Sequence, residues 1–217
     1  MKVRTSEQQL LQNYQVLFSN VIKDTVLAAE LAEYGYTAEE IANGKALYEA
    51  VANKYSTNKK ETAEETTAYV IFSEKLNTAL STYRTDRKKA KIVFINQPDV
   101  LKNLHIKSLV PTRNAAVLDN MKLFYSTLNQ DAALLTPLQQ LKVTPEHIGS
   151  QLALVTETEA AYAQYIQEKG ESQQATQDKN KAFNEMDVWI RRFYAVAKIA
   201  LEDQPQLLES VAKLVRS

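Results

Sequence analysis

Cysteine is absent from the 217 residues. That removes disulfides, thiolate nucleophiles and cysteine-based metal sites together, and it is compatible with a reducing compartment. Four glycines and five prolines are too few for the turns of a sheet-rich fold, and no glycine-rich phosphate loop or serine elbow is present. Neither sign of charge is in excess. With 26 Lys and Arg against 26 Asp and Glu, no global field draws the chain to nucleic acid or to an anionic membrane. No apolar run approaches the ~20 residues that cross a bilayer. The start, Met1-Lys2-Val3-Arg4-Thr5-Ser6-Glu7, turns polar before the apolar core of a signal peptide can form. The expectation is a cytoplasmic protein with no membrane span and no nucleic-acid partner.

Imidazoles are nearly as scarce, with only His105 and His147. The Glu-x-x-His pairs that helical di-iron proteins place on facing helices are missing, because Glu146 adjoins His147. No metal or cofactor is expected, and no catalytic set is visible, so the chain reads as a non-enzyme. His147, in the first turn of a helix, is expected to face solvent.

What is abundant is Ala, Leu, Glu, Gln and Lys, all good helix formers, and the fold reads as all-α. The chain also repeats itself. An offset of 107 residues carries Thr37-Ala38-Glu39-Glu40-Ile41 onto Thr144-Pro145-Glu146-His147-Ile148. The same offset carries Ala90-Lys91-Ile92 onto Ala197-Lys198-Ile199, and Gln97-Pro98-Asp99-Val100-Leu101 onto Gln204-Pro205-Gln206-Leu207-Leu208. A tandem duplication is the economical reading, with repeats at 1–107 and 108–217 packed as one pseudo-twofold helical bundle.

Apolar spacing predicts three helices and a short one per repeat. The first runs from about Ser6 to Tyr34 and ends at Gly35. The second starts at Thr37, with Glu40 completing a capping box, while Pro145 fills the first helical position of the other copy. The polar stretches Ser56-Thr57-Asn58-Lys59-Lys60 and Lys169-Gly170-Glu171-Ser172 read as breaks before a long third helix, which Pro98 and Pro205 stop. At ~1.5 Å per residue this third helix overhangs its own repeat. Its apolar positions Tyr83, Ala90 and Phe94 therefore need cover from the short helix and from the other copy. The connection from Leu104 to Pro111 is apolar enough to be packed, which favours one bundle over two flexibly linked domains.

Several charged positions recur at the offset: Asp24 and Asp131, Glu39 and Glu146, Arg84 and Arg191, Lys91 and Lys198. Interhelical salt bridges are the plain reading of these pairs. If a ligand pocket lies between the repeats, Arg84 and Arg191 are the pair to test, since guanidinium forks suit carboxylate or phosphate. The densest local charge, Arg84-Thr85-Asp86-Arg87-Lys88-Lys89-Ala90-Lys91, puts Arg84, Arg87, Lys88 and Lys91 on one helix face. That face reads as solvated, or as a contact for an acidic partner.

The stretches Tyr34-Gly35-Tyr36-Thr37, Arg87-Lys88-Lys89-Ala90-Lys91 and Phe193-Tyr194-Ala195-Val196-Ala197-Lys198-Ile199-Ala200 resemble those of an uncharacterised bacterial family of duplicated helical proteins. The family has no assigned function, so the resemblance implies a fold and carries no site residues over. The functional expectation is therefore a structural or protein-interaction protein that meets itself, as a homo-oligomer or polymer, or another protein. The alternative is a binding protein for a small anionic ligand at the interface between the two repeats.

Overall fold

The structure is a computed structural model and describes residues 5–212. Met1–Arg4, part of the stretch read against a signal peptide, and the last residues of the second repeat lie outside the described residues. The described chain is helical throughout, with α1 (Glu7–Lys23), α2 (Thr25–Glu33), α3 (Ala38–Val93), α4 (Pro98–Asn103), α5 (Asn114–Gln130), α6 (Ala132–Gln139), α7 (Pro145–Ala200) and α8 (Pro205–Ala212). Helix starts recur at the sequence offset: Glu7 with Asn114, Thr25 with Ala132, Ala38 with Pro145, and Pro98 with Pro205. Among the described residues no helix is long and apolar enough to cross a membrane.

Two of the expected boundaries are corrected. The stretch from Ser6 to Tyr34 is not one helix, because Asp24 interrupts it in an extended conformation and its carboxylate accepts from the backbone N–H groups of Val26 and Leu27. Asp131 does the same for Ala133 and Leu134. An aspartate that can satisfy two orphan donors starts a new helix more favourably than it continues an old one. These recurring aspartates are caps, and the expectation of interhelical salt bridges fails for them.

The second correction runs the other way. The polar stretches at 56–60 and 169–172 break nothing, and α3 and α7 each continue for 56 residues. Polarity alone does not end a helix, and no Pro interrupts either stretch. Threonine hydroxyls instead return to carbonyls one turn back, as from Thr62 to Asn58 and from Thr67 to Ala63. Asn58 meanwhile donates to Thr176 Oγ1 at 2.9 Å. Residues 1–107 and 108–217 thus each contribute two short helices, one long helix and a stub, rather than three helices and a stub.

The other ends behave as the side chains dictate. Thr37 and Thr144 accept from the N–H groups of Glu40 and His147. The turn after α2 satisfies its carbonyls by Tyr36 N–H to Leu31 and Gly35 N–H to Ala32, with Gly35 at φ +89°. The same pair of bonds follows α6, where the left-handed position is taken by Lys142 at φ 62°.

The chain packs as two compact units, and both cut across the sequence repeats. Unit 1 comprises Met1–Thr62 with Glu171–Ser217, and unit 2 comprises Ala63–Gly170. The first part of α3 and the last part of α7 therefore serve unit 1, while the remainder of each serves unit 2. In unit 1, Leu17, Phe18 and Val21 of α1 and Leu27 and Leu31 of α2 close on Met186, Trp189 and Phe193 of α7. In unit 2, Tyr83, Ala90 and Phe94 are buried against Leu104 and Ile106 after α4, and against Met121, Phe124 and Tyr125 of α5. The overhanging apolar positions find their cover in the stub and in the second repeat.

Candidate functional site

The positions singled out by charge fall in different units. Arg84 and Lys88 are exposed on unit 2, and Lys91 is half-buried. Arg191, in unit 1, is exposed and pairs with Asp187 of its own helix at 2.6 Å, a contact of little energetic weight at the surface. Arg87 lies on the inside. Its guanidinium donates to the backbone carbonyls of Ile106, at 3.0 Å, and of Ser108, tying the chain after α4 back onto α3. The four residues do not present one solvated cationic face, because Arg87 is turned to this internal task.

The unanticipated residue is Asp86, 1% exposed within the basic run. Its Oδ2 accepts from the Tyr125 hydroxyl at 3.1 Å and lies 2.6 Å from His147 Nε2, while its Oδ1 accepts from Lys89 at 3.1 Å. A carboxylate offers only acceptors, so His147 carries its hydrogen on Nε2. His147 is therefore not solvent-facing as expected: the cap at Thr144 starts α7 where the ring reaches across to α3. Burial, reinforced by the charge of Asp86, pushes the Tyr125 hydroxyl well above its usual pKa. Three helices meet on one carboxylate, and both of its oxygens are engaged. This geometry is that of an interhelical tie, with its donors already spent on one another. At the 107-residue offset Asp86 corresponds to Phe193, a buried core position, and that mismatch was the available signal.

The corresponding place in unit 1 is aromatic. Trp189 donates from Nε1 to Glu40 at 2.8 Å, and its ring stacks on Phe193 and meets the edge of Tyr36. The Glu40 carboxylate, expected to complete a capping box, is thus engaged by Trp189 and by Asn43. Gly44 makes room for this: a methyl group there would overlap the Trp189 ring.

Beside this cluster unit 1 carries an open apolar groove of about 560 Å³, within the ~300–1,000 Å³ range of small-ligand sites. Its floor is Val21, Tyr36 and Ile41, and its walls are the short side chains of Ala28, Ala29, Ala32, Ala38 and Ala42. Ile22 and Lys45 form the rim. A second depression of about 330 Å³ shares Ile22 and Lys45 and adds Lys23, Phe18 and Tyr48. Cavity and cations thus occur together on one face of α1, α2 and α3. No protein-family model matches the chain, and no curated protein or solved structure matches it.

Proposed function

We propose that the chain is a duplicated helical protein that works through its surfaces, chiefly by self-association, and is not an enzyme. On this reading residues 8–104 and 115–211 descend from one duplicated sequence, and the recurrence of helix starts and of the Asp24 and Asp131 caps supports it. The observation that carries the interaction reading lies in unit 2, where Tyr69, Val70 and Ile71 of α3 are 51%, 46% and 47% exposed. Three consecutive exposed apolar residues cover more than half the circumference of a helix. Ile166 of α7 is 47% exposed in the same stretch, where the Tyr69 and Tyr165 rings lie 5.3 Å apart. Exposed apolar residues gathered in one stretch are what an interaction surface offers, and zero formal net charge removes the repulsion that opposes pairing of identical chains.

Sedimentation velocity across a wide concentration range tests this. The wild-type chain is expected to associate, and Val70→Glu with Ile71→Glu to sediment as a monomer of unchanged helicity. A wild-type monomer at high concentration would remove the reading. The second reading, a binding protein for a small anionic ligand, is supported by the groove beneath Lys45. The groove is lined entirely by residues 21–45, so on this reading the ligand sits inside the first repeat.

A further inference from the structure

We infer that the unit 1 groove is a site for a single-chain anionic amphiphile, a long-chain carboxylate whose tail lies along the alanine walls and whose head meets Lys45 and Lys23. The inference deepens the second reading and is independent of self-association. Its strongest support is internal. At the 107-residue offset the wall residue Ala28 corresponds to Leu135, which is 7% exposed in the unit 2 core, and Ala32 corresponds to Gln139. The rim residue Lys45 corresponds to Leu152, which packs against that core, and Lys23 corresponds to Gln130. At these positions unit 2 carries leucine or glutamine where unit 1 carries alanine or lysine, and neither cation recurs. A groove that arose from loose packing alone would carry no reason for the two lysines to accompany it.

The chemistry of the lining sets the ligand class. The walls and floor offer apolar surface, apart from the Tyr36 hydroxyl, so the buried part of the ligand must be hydrocarbon. Lys45 has Glu49 at 3.5 Å as an ion-pair partner, and both side chains are about half exposed. That exchange for a ligand carboxylate costs little. Lys23, in the last turn of α1, lies along the adjoining depression and extends the positive edge. A flat tricyclic or a sugar would leave either the length of the groove or its apolar walls unused.

The only tryptophan, Trp189, reports on the site, because Tyr36 of the groove floor meets its ring at 5.7 Å. The full-length chain is titrated with octanoate, decanoate and dodecanoate below their micelle concentrations, and with dodecanol, while Trp189 fluorescence is followed. Saturable binding of one carboxylate per chain is expected, tightening about fourfold per methylene until the groove is full. Ala28→Leu, which imports the residue of unit 2, is expected to weaken binding of acid and alcohol at least tenfold while leaving the melting curve in place. Should that variant misfold, Ala32→Gln makes the same test from the rim side of α2. Lys45→Met should weaken dodecanoate about tenfold and leave dodecanol unchanged. Equal binding of acid and alcohol to the wild-type chain would overturn the anionic class while leaving a binding groove. Full-strength binding to a folded Ala28→Leu chain, two carboxylates per chain, or no saturable signal would overturn the site itself.

Discussion

At the scale of single residues, one buried carboxylate organises unit 2. Asp86 holds Lys89 on its own helix, Tyr125 on α5 and His147 on α7, and losing it strands all three partners. Asp86→Ala is expected to destabilise the chain by about 3 kcal/mol, measured by urea denaturation. Tyr125→Phe keeps the ring packing and removes one bond to a charged acceptor, for about 2 kcal/mol. The same tyrosine gives a pH signature. Its folded pKa is raised by burial and by Asp86, and burial also raises Tyr14, Tyr36, Tyr83 and Tyr194. In the unfolded chain these hydroxyls ionise near pH 10, whereas in the folded chain they stay protonated. Their contribution is fully present below about pH 10 and is lost as the pH climbs toward the folded values. Denaturation midpoints should therefore fall as the pH rises above about 10, and fall less steeply in Tyr125→Phe. An identical slope in the two proteins would show that Tyr125 ionises freely.

At the scale of elements, the turns after α2 and α6 are the same device built with different residues. Gly35 takes the left-handed position without strain, while Lys142 holds φ 62° with a Cβ that disfavours it. Lys142→Gly should raise stability by about 0.5–1 kcal/mol, after allowing for the greater freedom of glycine in the unfolded chain. A thermal melt decides this, and a lowered midpoint would mean that the Lys142 side chain stabilises the turn. Helix starts at Thr37 and Thr144 and the turn at Gly35 were legible because caps and glycine act locally. Asp24 was not read as a cap because Leu27 and Leu31 continue the apolar stripe across it. The polar stretches near Asn58 and Gly170 imitated loops, because a helix with few neighbours has few apolar positions by which to announce itself. Asp86 was hidden among basic residues, and the groove was hidden because an alanine is a good helix former wherever it points. Only comparison of Ala28 with Leu135 separates a wall from an ordinary helix face.

At the scale of the whole molecule, the boundaries of the compact units are not those of the repeats, and this makes opposite predictions for two fragments. A fragment ending at Val110 keeps Tyr83, Ala90 and Phe94 but lacks α5, α6 and the start of α7, which bury them in unit 2. It should aggregate, or dimerise so that a second copy supplies the missing helices. A fragment spanning 63–170 retains every element of unit 2 and should melt cooperatively. Circular dichroism and sedimentation of the two distinguish the cases, and a stable monomer of the first with an unfolded second would reverse the assignment. The interleaving also orders events in time. Unit 2 is continuous in sequence and emerges from the ribosome before the residues that complete unit 1 emerge. Bringing Thr62 and Glu171 together across roughly a hundred disordered residues would cost about 4 kcal/mol in chain entropy. Once unit 2 has formed, however, Tyr69 and Phe72 lie against Tyr165, and the two strands of chain leaving it start as neighbours. The end of α7 then has only a short loop to close to reach the start of α3, so completing unit 1 costs less chain entropy than it would before unit 2 has formed.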